Sequence, residues 1–290
     1  MKSRLVLFPI LGTLLLAGKA AGTADDVIAS INAHARYVES GRFLVRTETA
    51  FFGQEAASSP ETTEEELTFD GVRSRLERAI QRPTEPVGSP RRLETLRFLF
   101  DGEKVIKDEP SQEFLGLGHE VTAVTDLAQL PRLLSLPQGL LDAVVRAQVI
   151  HDALLGDALR GVYKAKQEGE EEVAGVHCLR FVGPTMDHGS WQSTYTWWIA
   201  PQKGYALAQY ADEGTWTPPG TATYRKDVET VEQWMQTEDG FWLPEVTVKR
   251  TYIQNTGAAE PELRRVDTTT ILSSAVNIPI SDEVFKVSGK

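Results

Sequence analysis

The sequence predicts an α+β domain that is mainly antiparallel β, a large curved sheet of about ten or eleven strands with helices covering its concave face. Three observations carry this expectation. Segments of alternating apolar and polar residues recur along most of the chain between turn residues, two regions switch to a three- and four-residue apolar period, and no repeat or linker divides the chain.

The beginning of the chain reads as an export signal. Lys2 and Arg4 precede an apolar run from Leu5 to Gly18, and small residues Ala20 to Ala24 stand ahead of Asp25. Pro9 and Gly12 interrupt that run, which is also short of the roughly 20 apolar residues that a bilayer span needs. A soluble product cleaved near Ala24 is expected, with cleavage after Gly22 as the alternative, in the periplasm or outside the cell. Lys19 occupies the place where a lipoprotein would carry its lipidated cysteine, so residues 1–24 are expected to be a signal peptide and 25–290 the domain.

Loss of residues 1–24 removes Lys2, Arg4 and Lys19 but no acid, taking the formal charge from −11 to −14. An acidic domain of this kind repels a phosphate backbone and an anionic membrane surface, which argues against nucleic acid and leaves peripheral membrane contact at most. The single cysteine, Cys178, forms no internal disulfide, so stability must come from packing. Eleven Phe, seven Tyr and six Trp supply bulky side chains for one large core.

Asp25 or Asp26 caps a first helix with Val27, Ile28, Ile31, Ala35 and Val38 on one face, ending at Gly41. From Arg42 the period becomes two, with Phe43, Val45, Thr47, Thr49 and Phe51 in one phase. Residues 53–65 read as a loop and 67–81 and 93–100 as strands, and Asp101-Gly102 signals a hairpin into Lys104-Val105-Ile106-Lys107. A helical insertion is expected at about 120–156, broken by Pro131 and Pro137. Strands resume at about 159–168, 174–182, 191–200, 205–213, 221–236, 241–253 and 263–275.

In this order the chain resembles the LolA/LolB superfamily of periplasmic lipoprotein carriers, which includes the RseB-like sensor domains. The resemblance lies in the helix leading into Gly41-Arg42-Phe43, in Leu99-Phe100-Asp101-Gly102-Glu103-Lys104, and in Thr196-Trp197-Trp198-Ile199-Ala200-Pro201 through Gly204-Tyr205. Asp239-Gly240-Phe241-Trp242-Leu243-Pro244 and the closing Val276-Asn277-Ile278 through Ser281-Asp282-Glu283-Val284-Phe285 complete it. The resemblance implies an unclosed β-barrel with helices over its opening, enclosing an apolar space for a lipid or lipoprotein acyl chain. Many such carriers hold the lid with an arginine, for which Arg42 and Arg46 are the candidates here.

Catalytic patterns are few. His177 and Cys178 are adjacent on a strand and point to opposite faces, so they make no nucleophile and base pair. Asp187-His188 lies in a Gly- and Pro-bearing loop, where turn chemistry explains the same residues. The five histidines show no metal-ligand spacing, and the runs Glu64-Glu65-Glu66 and Glu170-Glu171-Glu172 read as solvated turns rather than calcium loops. No cofactor is implied.

The aromatic and aliphatic residues are more informative. Phe43, Val45, Phe98, Phe100, Tyr195, Trp197, Ile199, Val246, Val248 and Tyr252 are expected to line the sheet side of an apolar cavity, and Leu133, Leu134 and Leu141 its helical side. The expected function is that of an exported, non-enzymatic carrier or binding protein for a hydrophobic small molecule, lipid or lipoprotein. The alternative is an envelope sensor domain that recognises a protein tail.

Overall fold

The computed structural model describes residues 24–53, 60–70, 73–82, 92–100, 104–108, 119–123, 154–216 and 223–286. The expected signal peptide, most of the expected helical insertion, and Leu133, Leu134 and Leu141 lie outside these residues.

The elements are α1 (Ala24–Tyr37), β1 (Ser40–Phe51), β2 (Glu61–Asp70), β3 (Arg73–Arg82), β4 (Arg92–Phe100), β5 (Lys104–Asp108) and β6 (His119–Ala123). After the insertion come α2 (Leu155–Gly161), β7 (Lys166–Val173), β8 (Val176–Val182), β9 (Met186–Asp187), β10 (Trp191–Ala200), β11 (Ala206–Trp216), β12 (Thr223–Gln236), β13 (Trp242–Gln254) and β14 (Glu262–Val276). All strands join one 14-stranded sheet in the order β6-β5-β4-β3-β2-β1-β14-β13-β12-β11-β10-β8-β7, with β9 beside β10. Among the described residues β6 and β7 stand at opposite edges, so the curved sheet is unclosed.

This is the expected fold class, with more strands than the sequence suggested. Residues 67–81 are not one strand: Asp70 pairs with Arg73, and β2 begins at Glu61 inside the expected loop. The expected strand at 159 is instead helix α2, in which Leu155, Ala158 and Leu159 are buried at helical spacing. The pairing of β1 with β14 brings the first strand against the last, which makes the middle of the sheet a long-range assembly.

Extra residues bulge from the ladder at Leu272 in β14, Ala208 in β11 and Glu232 in β12 toward one end of the strands, and at Arg264 in β14 toward the other. Bulges of this kind increase local twist and bend the sheet, which suits a concave face.

Helix α1 opens with Asp25 and Asp26 and carries Arg36 in its last turn, charges that complement its dipole. Its apolar stripe Val27, Ile28 and Ile31 packs with Leu155 and Leu159 of α2 against Leu179, Phe181, Trp197 and Ile199 of the sheet. A smaller core on the opposite face holds Val173, Val176, Cys178, Ala200 and Ala208, with Trp198 and Trp234 against it. Both faces of this sheet edge are therefore apolar, which is why Trp197 and Trp198 are neighbours in sequence.

The end of α1 is tied down by polar contacts. His34 and Tyr37 stack on Phe241 at 4.2 Å each, and Tyr37 Oη donates to Asp239 at 3.0 Å. Asn277, held at a φ of 54°, donates from Nδ2 to the Tyr37 carbonyl at 2.8 Å and accepts the Glu39 amide on Oδ1 at 3.0 Å. One side chain thus fastens the helix to the start of β1.

Helix α2 approaches α1 closely at Gly156, where a Cβ would stand 2.5 Å from Asn32 Oδ1 and 2.7 Å from the Ile28 carbonyl oxygen. Gly156→Ala is expected to force the helices apart and cost about 1–3 kcal/mol, read as a lower midpoint in urea unfolding.

Candidate functional site

Cross-strand register sorts the side chains of the helix-covered face by height along the strands. At one end Phe43 and Val45 of β1, Leu67 and Phe69 of β2, Leu76 of β3 and Ile271 of β14 fall on this face, and each is at most 5% exposed. Trp197 and Ile199 of β10, 1% and 0% exposed, lie on the same face beneath α1 and α2, and register sets Trp197 level with Tyr210, Glu229, Lys249, Asp267 and Thr49.

At the other end the same face is polar. Register places Tyr195, Asp212, Asp227 and Thr251 in one row across β10 to β13, and Asp267 opposite Thr49 across β14 and β1. Thr49, Thr251 and Asp267 are buried despite their polarity. Their hydrogen bonds explain how: Thr251 Oγ1 donates to Asp227 at 2.7 Å, and Thr49 Oγ1 donates to Asp267 at 2.6 Å.

The charges are unevenly matched. Asp227 is bridged by Arg225 at 2.7 Å and Lys249 at 3.7 Å, and Asp267 by Arg265 at 2.8 Å. Asp212 keeps a buried Oδ1 with no hydrogen-bond partner. Burial first, and the neighbouring Asp227 charge second, raise its pKa to about 6, against the opposing pull of Arg225, Lys249 and His188. Beside it four rings converge: Tyr195 and Tyr210 stack at 6.2 Å, Trp197 lies 6.0 Å from both, and Tyr163 lies 4.7 Å from Trp197.

A second polar point sits on the same face across β2 and β3. Glu65, with a side chain 1% exposed, bonds Arg78, and burial pushes its carboxyl up while Arg78 pulls it down. The acid run expected to be a solvated turn is therefore part of strand β2. Its alternate members Glu64 and Glu66 point to the other face and pair with Arg46 and Arg42. Both candidate lid arginines are thereby placed away from the helices, because they occupy the even phase of β1, opposite to Phe43 and Val45.

The expected apolar residues divide in the same way. Phe43, Val45, Tyr195, Trp197 and Ile199 come to the helix-covered face. Phe98 and Phe100 lie on β4, in register with Leu76 and Ser74. Val246, Val248 and Tyr252 lie on the opposite face, since their neighbours Thr247, Lys249 and Thr251 take the phase of Asp267 and Asp227. In β13 the inward residues are the more polar ones.

The remaining chemical candidates are quiet. Cys178 is 0% exposed, and burial raises its thiol to about 11, while His177 pairs with Glu170 at 2.9 Å at the exposed sheet edge. Asp187 accepts the Gly189 amide at 2.8 Å, and His188 Nε2 lies 3.2 Å from Ser193 Oγ. Among the described residues no group of three or more His, Cys, Asp or Glu side chains is placed to hold a metal ion. No helix among them is long and apolar enough to cross a membrane.

A cleft of about 400 Å³ lies on the outer face, where the segment from Ile278 to Val284 crosses Arg42, Thr68 and Arg75. Its guanidinium groups are already paired, Arg42 with Glu66 and Arg75 with Glu77, and Arg75 also donates to the Val284 carbonyl at 3.3 Å. It anchors the end of the chain.

No family model and no curated protein matches the sequence. Among solved structures the chain is similar to a LolA superfamily protein from Nitrosomonas europaea, at 14% identity over 92% of this chain and 99% of that one, with a TM-score of 0.45. It is similar to a DUF1329 family protein from Desulfovibrio piger at 10% identity over 91% and 96%, with a TM-score of 0.47. A third is a protein titled as an outer membrane lipoprotein-sorting domain, from Vibrio parahaemolyticus, at 11% identity over 90% and 97% with a TM-score of 0.48.

The raised pKa of Asp212 has a sign that can be measured. Ionisation is harder in the fold than in the unfolded chain, so the stabilising contribution is present below about pH 4 and is lost as pH rises to about 6. Asp212→Asn is expected to be more stable than the parent at pH 7.5 by about 1 kcal/mol, a figure discounted for the solvent contact the carboxyl keeps. The advantage is expected to vanish below pH 4 in thermal melts taken across that range.

Proposed function

We propose that this protein is an exported carrier or binding protein for an amphiphile, a lipid or lipoprotein acyl chain held between the curved sheet and helices α1 and α2. The observation that carries the reading is the apolar floor of Trp197 and Ile199 under α1 and α2, bordered on the same face by the polar row of Tyr195, Asp212, Asp227 and Thr251. An acyl chain matches the first and a polar head the second.

The mechanism follows from what holds α1 down. Its apolar stripe rests on Trp197 and Ile199, while Asn277, the Tyr37–Asp239 bond and the Asn32–Asp157 bond at 2.8 Å fix its position. Lifting the helix exposes the surface that a guest chain would cover, so burial of the guest at about 25 cal/mol per Å² offsets the contacts that the helix gives up. Uptake and release are then set by how often α1 leaves the sheet. The site of action is the periplasm or the outside of the cell, after removal of the leader at residues 1–24.

The test is organic extraction of the purified protein followed by mass spectrometry. Co-purified acyl lipid is the expected result. A protein that carries no lipid, takes up none when offered, and captures peptides instead would contradict the carrier reading and mark a sensor of protein tails. Asn277→Ala, which removes the bonds to Tyr37 and Glu39, is expected to speed exchange of a fluorescent fatty acid several-fold while costing about 1–3 kcal/mol of stability.

A further inference from the structure

The polar end contains one feature that amphiphile binding in general does not require. The carboxyl of Asp212 faces the trough with its inner oxygen unsatisfied, and an uncompensated buried acceptor is costly unless a donor or cation meets it. The other two aspartates of this face have cationic partners, Arg225 and Lys249 for Asp227, and Arg265 for Asp267. Arg225 and Lys249 also pull on the Asp212 carboxyl, yet its Oδ1 keeps no hydrogen-bond partner.

The surroundings say what kind of cation fits. Tyr195 is the cross-strand partner of Asp212, and Tyr210 precedes it by two residues on the same strand face. Their stacked rings, with Trp197 at 6.0 Å from each, set an aromatic wall against the carboxylate. Tyr195 and Tyr210 are both partly exposed, and so is Asp212, so the wall is reachable from the trough. Aromatic faces attract a diffuse cation through the ring quadrupole, and a carboxylate beside them supplies the countercharge. A compact hydrated metal ion has no use for the rings, and an anion is opposed by Asp212.

We infer that Asp212 with Tyr195, Tyr210 and Trp197 forms a subsite for an alkylammonium group, the head of the amphiphile whose chain lies under α1. This rests on the amphiphile reading and deepens it: the bound molecule carries a cationic or zwitterionic head. The subsite lies at the border between the two ends of the trough, where the head of a chain-bearing molecule must sit.

Occupation depends on the ionised carboxylate. The charged and titratable groups that face it are Asp227 and Arg225 of β12, Lys249 of β13, Tyr195 of β10 and His188 ahead of β10. A bound cation favours the ionised form, so affinity for it falls as pH drops through about 6.

The experiment is calorimetric titration of the full chain with short-chain phosphatidylcholine, and with phosphatidylglycerol of the same chain length, both below micelle formation. At pH 7.5 phosphatidylcholine is expected to bind at least about tenfold more tightly. Asp212→Asn is expected to erase that preference, weakening phosphatidylcholine and relieving the repulsion that opposes phosphatidylglycerol. Tyr210→Leu serves as a second variant and is expected to weaken phosphatidylcholine in the same direction. At pH 5 the parent protein loses its preference and Asp212→Asn is indifferent to the change.

Equal affinity of the parent for both lipids, or a preference that survives in Asp212→Asn, overturns the ammonium subsite and leaves the amphiphile reading standing. No binding of either lipid overturns both. Tetramethylammonium chloride separates the sources: binding as tight as that of the lipid assigns the subsite to a free ammonium compound and removes the lipid head from the proposal.

Discussion

A single open antiparallel sheet cannot bury itself, so the packing of α1 and α2 onto one end of one face is the interaction on which the rest of the molecule depends. The register between strands decides which end that is. Phe43 stands opposite Leu67, Leu67 opposite Leu76, and Val45 opposite Ile271, so the apolar residues of four strands arrive at the same height. A slip of one residue would turn each of them to the other face. The covering helices rest farther across the sheet, on Leu179, Phe181, Trp197 and Ile199.

The other end of the face is kept from collapsing by the chemistry it carries. Thr49 pairs with Asp267 and Thr251 with Asp227 across strands, which makes their burial tolerable. The result is a trough with a greasy end and a polar end, and a cover fastened chiefly through Asn277 and the Phe241 stack. In the proposed function, these contacts are the ones a guest would replace.

Much of the architecture was legible in the sequence. The two-residue period from Arg42 marks β1, the phase of Tyr195, Trp197 and Ile199 is correct, and the spacing of Val27, Ile28 and Ile31 marks the face of α1 that is buried. Less legible was which phase of a strand points inward when both faces carry apolar residues. In β13, Val246, Val248 and Tyr252 look like the core phase by hydropathy, yet Thr247, Lys249 and Thr251 take the inward positions. The polar row is met by hydroxyls from other strands, Thr251 for Asp227 and Thr49 for Asp267, and no local pattern announces partners that lie dozens of residues away. Glu65 was misread for the same reason, since Arg78 becomes its partner only once β2 and β3 are paired. The signal available was modest: Asp212, Asp227 and Asp267 each sit in phase with residues that belong to the covered face.

The central claim is that an apolar guest lies on the helix-covered face beside Trp197, and tryptophan quenching by a lipid brominated on its acyl chain tests it most directly. Trp197 is on that face and Trp198 and Trp234 pack against the opposite one, so the two sides are separated by single substitutions. Quenching that is lost in Trp197→Phe and kept in Trp198→Phe is the expected result. Quenching that persists in Trp197→Phe and disappears in Trp198→Phe would place the guest on the outer face and contradict the account.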